Sequence, residues 1–332
     1  MRVGLNPNKD TKLIRNEFIH HIVIPVYIPN QEDYFTGSFD VLKLHFESVF
    51  KTVHSQTFIS VINNGCCQEV KNYLDDLFHQ NKINEIIHTD NIGKINAILK
   101  GMMGHSFQFI TITDCDVLFE PNWQQATYDI FNTFPKAGVV GLTPTIKTNY
   151  ILTSNVLFRH FFSRKMKFSK VVDEESMQLF YKSVGNEDKF IAEKNKRYFV
   201  LEKENLKVCV GCGHYVATYK SDIFKVVKKS SQFKMAGDMK KHFDEKLLQF
   251  GLWRLNTLAN YAFHMGNSPE PWMYDKNANL PQKNSAVPNV KSFQKPKEIS
   301  FLTNFFTNTI TSKFFKIIKF RRFFEKLKQN ES

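Results

Sequence analysis

The run at 107–116, Phe-Gln-Phe-Ile-Thr-Ile-Thr-Asp-Cys-Asp, constrains this chain more than any other feature. Its apolar, β-branched body predicts a buried strand. The strand ends in two acids spaced two apart. On an extended chain such residues share a face, so Asp114 and Asp116 are expected to project together while Cys115 points away. Two carboxylates converging at the carboxyl end of a strand suit a hard divalent cation. In an open α/β sheet that edge is also where ligands bind.

Strand and helix patterns alternate around this run. Residues 21–28 read as a short buried strand that leaves the sheet near Pro25, because proline breaks a ladder. Helical spacing follows at 38–54. A strand at 57–62 ends in the turn Asn63-Asn64-Gly65. Helix is expected at 67–80, strand at 85–88, and a further helix from the segment opening at Asn91. After the acidic pair come helix at 123–134 and strand at 137–142. This order predicts an α/β, Rossmann-like, doubly wound and mostly parallel sheet. Residues 145–200 lose periodicity and read as an insertion or variable loop region on the acceptor side. Regular structure resumes at 208–217, from Ser221 and at 244–251. Residues 268–300 are rich in Pro, Asn, Ser and Lys and read as a linker. The tail at 301–332 reads as a basic, Phe-rich, amphipathic helix.

Composition sets the setting. The 332 residues suffice for one large domain or two modest ones. No apolar stretch approaches the roughly eighteen residues of a membrane span, and the N-terminal segment lacks an apolar signal core. A cytoplasmic protein is expected. The 5 cysteines are read as free thiols. Cys209 and Cys212 have half the spacing of a zinc site but no second pair, and Cys115 and Cys209 read as small buried apolar residues. The formal charge of +13 is concentrated in the tail and at 159–170, which favours an anionic partner.

The motifs in order are Ile-Val-Ile-Pro-Val-Tyr27, Val-Ile-Asn-Asn-Gly65, Asn91-Ile-Gly-Lys-Ile-Asn-Ala97, Asp114-Cys-Asp116, Gly211-Cys-Gly213, Asp244-Glu245 and His264-Met-Gly-Asn267. Together they resemble the family 2 glycosyltransferases with the GT-A fold, over roughly residues 20–267. The resemblance implies domains at 1–267, 268–300 and 301–332: a catalytic GT-A domain, a linker and a tail. It also implies a nucleotide-sugar donor, a glycan or lipid-linked acceptor and inverting transfer. Asp114, Asp116 and His264 would ligate Mn²⁺, or Mg²⁺, with imidazole favouring manganese. Pro25, Tyr27, Asn63, Asn64, Gly93, Lys94, Asp114 and Gly213 would contact the nucleotide sugar. Asn63-Asn64-Gly65 stands where the family usually has Asp-Asp or Asp-Gly.

Inverting transfer needs a base for the acceptor hydroxyl. Asp244 is the first candidate, Glu245 the second and Asp238 the third. In the tail, Phe306, Ile310, Phe314, Ile317, Ile318 and Phe324 are expected on one apolar face, with Phe315 and Phe323 outside it. Residues 301–328 would thereby dock peripherally on the anionic inner face of the cell membrane. Two alternatives stand beside this reading. One is a sugar-nucleotide nucleotidyltransferase, which lacks here the glycine- and arginine-rich loop after the first strand. The other is a nucleic-acid binder using the tail, which leaves the acidic pair without a role, so no nucleic acid is expected.

Overall fold

The computed structural model describes residues 4–6, 9, 11, 18–193, 197–226, 230–234, 239–281, 287, 289–291, 293 and 295–329. Asp238 lies outside the described residues. The strands are β1 (His20–Val26), β2 (Thr57–Asn64), β3 (Glu85–Thr89), β4 (Phe109–Thr113), β5 (Val117–Phe119), β6 (Ala137–Gly141), β7 (Met166–Lys170), β8 (Arg197–Lys203), β9 (Leu206–Val210), β10 (Val216–Lys220), β11 (Trp253–Thr257) and β12 (Ala262–His264). The helices are α1 (Ser38–Thr52), α2 (Gln68–His79), α3 (Lys94–Met102), α4 (Trp123–Thr133), α5 (Ser154–Arg159), α6 (Glu174–Ser183), α7 (Glu187–Glu193), α8 (Glu245–Gln249) and α9 (Pro271–Ala278).

Ten strands form one sheet in the order β3-β2-β1-β4-β10-β6-β11-β9-β8-β7. Strands β3, β2, β1, β4, β6, β11 and β8 run one way, and β10, β9 and β7 run the other. This is the mostly parallel α/β sheet that the alternation predicts. Period-two burial separates its faces. Ile22, Ile24 and Val26 of β1 pack with Phe46 of α1 and Leu74 of α2. Val23 packs with Ile95 and Ile98 of α3 on the other face.

Several expectations are corrected. β1 does not leave the sheet at Pro25: its pairing with β2 runs on to Val26↔Asn63. The ladder to β4 has already ended at Val23↔Ile112, so Pro25 stands beyond the last pair on that side. Residues 145–200 are not a loop. They hold α5, α6 and α7 and the strands β7 and β8, which extend the sheet. β7 is an edge strand with alternating burial, and its elements are too short to stand out by periodicity. The segment at 208–217 divides into β9 and β10, which are not neighbours in the sheet. Within 268–300, α9 buries Met273 and Asn277, and Lys51 Nζ donates to Asn277 O at 2.7 Å.

The tail is not one helix. It runs through Phe301–Asn304, a π-helical turn at Phe305–Ile310 and Thr311–Lys316, breaks at Ile317 (ψ 114°), and resumes at Ile318–Gln329. The π turn and the break shift the helical phase. The buried side chains are therefore Asn308, Thr311, Phe315, Phe324 and Lys328, while Phe306, Phe314, Ile317 and Ile318 are exposed. Phe315, predicted outside the apolar face, packs with Phe324, Phe199 and Leu255 in one cluster. Lys328 Nζ donates to Ser163 O at 2.7 Å. Phe324→Ala should lower unfolding stability by about 3–5 kcal/mol, measured by urea denaturation. A loss below 1 kcal/mol would show that the tail is not part of the core.

Two histidines of the α1 region are buried as well. His45 Nδ1 donates to Val117 O at 2.6 Å. Burial brings its imidazole down from 6.5 to about 4, with the Val117 bond opposing. Burial likewise brings His54 from 6.5 to about 4. Only the unfolded chain protonates these groups between those values. Their stabilisation is complete above pH 6.5 and declines as pH falls toward 4. Each contributes a slope of up to about 1.4 kcal/mol per pH unit. Denaturation at pH 7.5 and pH 5 should show that decline, reduced in His54→Gln. An unchanged slope in that variant would count against the assignment.

Candidate active site

The site forms where β4 gives way to β5. Strand β4 ends at Thr113, and Asp114 N donates to Tyr215 O at 2.7 Å. β5 then pairs antiparallel with β12 in the register Val117↔His264, and Met265 N donates to Asp116 O at 2.8 Å. Helix α1 holds β5 from behind, through the His45 bond and through Phe119 N donating to Ser48 Oγ at 3.1 Å. A residue distant in sequence is thereby set beside the acidic pair. His264 Nε2 lies 3.4 Å from Asp116 Oδ2.

The ring orientation has a definite cause. Ser183 Oγ donates its single hydrogen to Phe180 O at 2.8 Å. It therefore accepts from His264 Nδ1 at 2.9 Å. With Nδ1 protonated, Nε2 of the neutral ring presents a lone pair to a carboxylate oxygen. Two acceptors in that position need a cation or a proton between them. Asp116 Oδ1 is also buried, with no hydrogen-bond partner among the described residues. Burial pushes the Asp116 carboxyl above its usual value; His264 opposes this and Asp114 adds to it. Two carboxylates, one orphaned oxygen and an imidazole lone pair fit a divalent transition metal. Tyr215 and Phe180 wall the histidine, with ring centroids 5.2 Å and 6.3 Å from it.

Lys94 Nζ pairs with Asp114 Oδ1. Burial would lower the Lys94 ammonium, but Asp114, with smaller contributions from Asp116 and Cys115, raises the group overall. The Lys94 backbone N–H is already given to Lys234 O at 3.2 Å, so the start of α3 is closed by residues 230–234. Gly93 has φ +86°, and a Cβ there would lie 2.6 Å from Phe233 O. Its need for glycine is met within the fold.

The remaining candidates scatter around this centre. Pro25 and Tyr27 stand at the carboxyl end of β1, with Tyr27 exposed and edge-on to Phe35 at 5.9 Å. Asn63 and Asn64 are buried and committed to the fold. Asn63 Oδ1 accepts from Cys66 N at 2.8 Å and its Nδ2 meets His88 Nδ1 at 2.9 Å. Asn64 Oδ1 accepts from Ile92 N at 2.9 Å. Gly213 faces open space, whereas Gly211 (φ +111°) is confined by Thr148.

The two candidate bases part company. Asp244 is fully buried, with Oδ2 3.0 Å from Arg254 Nη2 and 3.1 Å from His214 Nδ1, and Oδ1 accepting from Tyr219 OH at 3.1 Å. Glu245 points elsewhere. It lines a cavity of about 430 Å³ under the tail, with Tyr150, Asn308 and Lys313. Sequence reasoning missed Ser183, His214, Tyr215 and Arg254. Only Arg254 carried a signal, as a charge between the apolar Trp253 and Leu255.

Ser183→Ala should weaken Mn²⁺ binding about 10–100-fold, as loss of an orienting partner does. Asp116→Ala should abolish binding at this site. Calorimetric titration with Mn²⁺ checks both, and wild-type affinity in both variants would contradict the assignment.

Among curated proteins none matches the chain. Solved structures align with the chain at low identity. The mannosyltransferase PcManGT from Pyrobaculum calidifontis, in complex with GDP-Man and Mn²⁺, aligns with TM-score 0.43 and 10% identity over 73% of this chain and 55% of that one. S. aureus TarS 1-349 aligns with TM-score 0.42 and 9% identity over 74% of this chain and 60% of that one. The chain thus spans little more than half the length of these relatives. The family profile described as Glycosyl transferase family 2 matches residues 22–188, half of the sequence. On that match the chain belongs to glycosyl transferase family 2.

Proposed function

We propose that this chain is a metal-dependent, inverting glycosyltransferase that moves a sugar from a nucleotide donor to a hydroxyl of a growing glycan or lipid-linked saccharide. The observation that carries the reading is His264 Nε2 set 3.4 Å from Asp116 Oδ2, with its Nδ1 held by Ser183 Oγ. Asp116 and His264, with Asp114, would hold a divalent ion, and imidazole favours Mn²⁺ over Mg²⁺. When bound, the ion supplies Lewis-acid stabilisation of the charge that develops on a leaving diphosphate. Lys94 balances Asp114 and places a cation beside the same edge. Tyr27, exposed after β1, offers a ring face to the nucleoside. Asn63, Asn64 and Gly93 would act by shaping the loops that border it, Pro25 by ending β1 there, and Gly213 by leaving room for the sugar.

In the transfer, the acceptor oxygen bonds to the anomeric carbon, the bond from that carbon to the diphosphate oxygen breaks, and the acceptor proton passes to a base. Asp244 has no exposed surface, so in this geometry it acts through His214, whose side chain is 36% exposed and whose Nδ1 is 3.1 Å from Asp244 Oδ2. The neighbouring Tyr215 carbonyl binds Asp114 N, which keeps His214 at the site. Glu245 instead lines the cavity under the tail.

The tail supplies a second contact. Phe306, Phe314, Ile318 and Phe323 are exposed among Lys313, Lys316, Lys319, Arg322 and Lys326. This face suits an anionic leaflet and a lipid-linked acceptor, with the protein on the cytoplasmic side. No described helix is long and apolar enough to cross a membrane.

A screen of nucleotide sugars with and without Mn²⁺ tests the function. Transfer should vanish in EDTA and in Asp116→Ala, and full activity in either would defeat the proposal. His214→Ala should lose about 10²–10⁴-fold in rate with unchanged melting. Asp244→Asn should lose rate and stability together, because it strands the buried Arg254. Normal rates in His214→Ala would remove the relay.

A further inference from the structure

At the opposite, amino-terminal end of the parallel strands lies a second cluster of ligating side chains. His21 is in β1, Glu85 opens β3, and His105 sits in the loop between α3 and β4. One ligand atom from each lies within 4.8 Å of the others. His105 Nε2 is 3.1 Å from Glu85 Oε2. The His21 and His105 rings are 4.9 Å apart at 70°.

Hydrogen bonding does not exhaust the cluster. Ser60 Oγ gives its hydrogen to Glu85 Oε2 at 2.6 Å, so it accepts from His21 Nε2 at 2.8 Å. His21 is fully buried, and its Nδ1 has no partner among the described residues. The ring therefore carries an unsatisfied lone pair. Phe58 and Phe107 pack on both imidazoles, at 5.6 Å and 5.2 Å from His21 and at 4.8 Å and 5.5 Å from His105. Such an apolar wall strengthens charge interactions inside it. Glu85 and His105 remain 29% and 19% exposed, which leaves an entry path.

We propose that His21, Glu85 and His105 form a Zn²⁺ site separate from the active centre, with a water in the fourth position. Two imidazoles and one carboxylate are a common zinc set, with bonds of about 2.0–2.2 Å. Tetrahedral bonds of that length put ligand atoms about 3.4 Å apart. The Glu85–His105 separation of 3.1 Å is already close to this, and all three ligand atoms lie within 4.8 Å of one another. Ser60, on Glu85 and His21, is the outer-shell partner that orients both. The ion would tie β1, β3 and the loop before β4 together, at the end of the sheet remote from Asp116.

The test uses full-length protein carrying Asp116→Ala, so that the active-site ligands do not compete. Titration with Zn²⁺ alone should show one ion per chain, and Co²⁺ in its place should give the visible absorption of a four-coordinate centre. Removing an outer-shell partner alone costs 10–100-fold, so adding His105→Gln or Glu85→Gln should cost roughly 100-fold or more in affinity. The same variants should lose the Zn²⁺-induced rise in melting temperature. If His105→Gln lowers the metal-free melting point, Glu85→Gln decides. No saturable Zn²⁺ binding in Asp116→Ala, or binding unchanged in the deciding double variant, would overturn the proposal.

Discussion

The short antiparallel pairing of β5 with β12 is the contact on which the candidate site depends. It joins Val117 to His264 and Asp116 O to Met265 N, across a separation of more than a hundred residues. Three residues of β12 are a small ladder. They are held because Phe263 and Leu118 bury against Val41, Leu44 and Met273, so α1 and α9 clamp the pair. The α9 segment therefore supports the site rather than merely connecting the sheet to the tail. A carboxylate and an imidazole are placed together by packing, at a cost that apolar burial behind them offsets.

The opposite wall has a different logic. Arg254 and Asp244 are both fully buried, and an ion pair in that setting is costly to desolvate. It is sustained by further bonds: Arg254 Nη1 to Ile151 O at 2.6 Å and Nη2 to Cys212 O at 2.7 Å. These tie α8, β11 and the 211–215 loop into one unit. Loops carrying His214 and Tyr215 need such fixing, since a site loosened by an ångström loses much of its advantage.

Much of this was legible in the sequence, and the failures have physical causes. The parallel strands announced themselves because both of their faces are buried, which gives continuous apolar runs. Asp114 and Asp116 were legible because acids rarely follow such a run. His264 was placed by its motif order, not by its neighbours. Ser183 was invisible: it ends a helix in the least periodic part of the chain, and its role exists only in three dimensions. The asparagines of β2 accept from backbone N–H groups, Asn63 from Cys66 in the loop after β2 and Asn64 from Ile92 in the loop after β3, which a reading of the motif alone does not show. Arg254 was there to be read, since a charge flanked by Trp253 and Leu255 suggests a buried partner. In the tail, a helical wheel drawn through 301–328 assumes one phase, and the π turn with the break at Ile317 destroys it.

The central claim is that His264 and Asp116 share one metal ion. Pulsed electron paramagnetic resonance on Mn²⁺-loaded protein reads that directly, because a nitrogen bonded to manganese modulates the electron spin echo. The account predicts a directly bound imidazole nitrogen in the wild-type protein, absent in His264→Gln while that variant keeps its fold. Tightly bound Mn²⁺ with no nitrogen coupling, or the same coupling in His264→Gln, would contradict it.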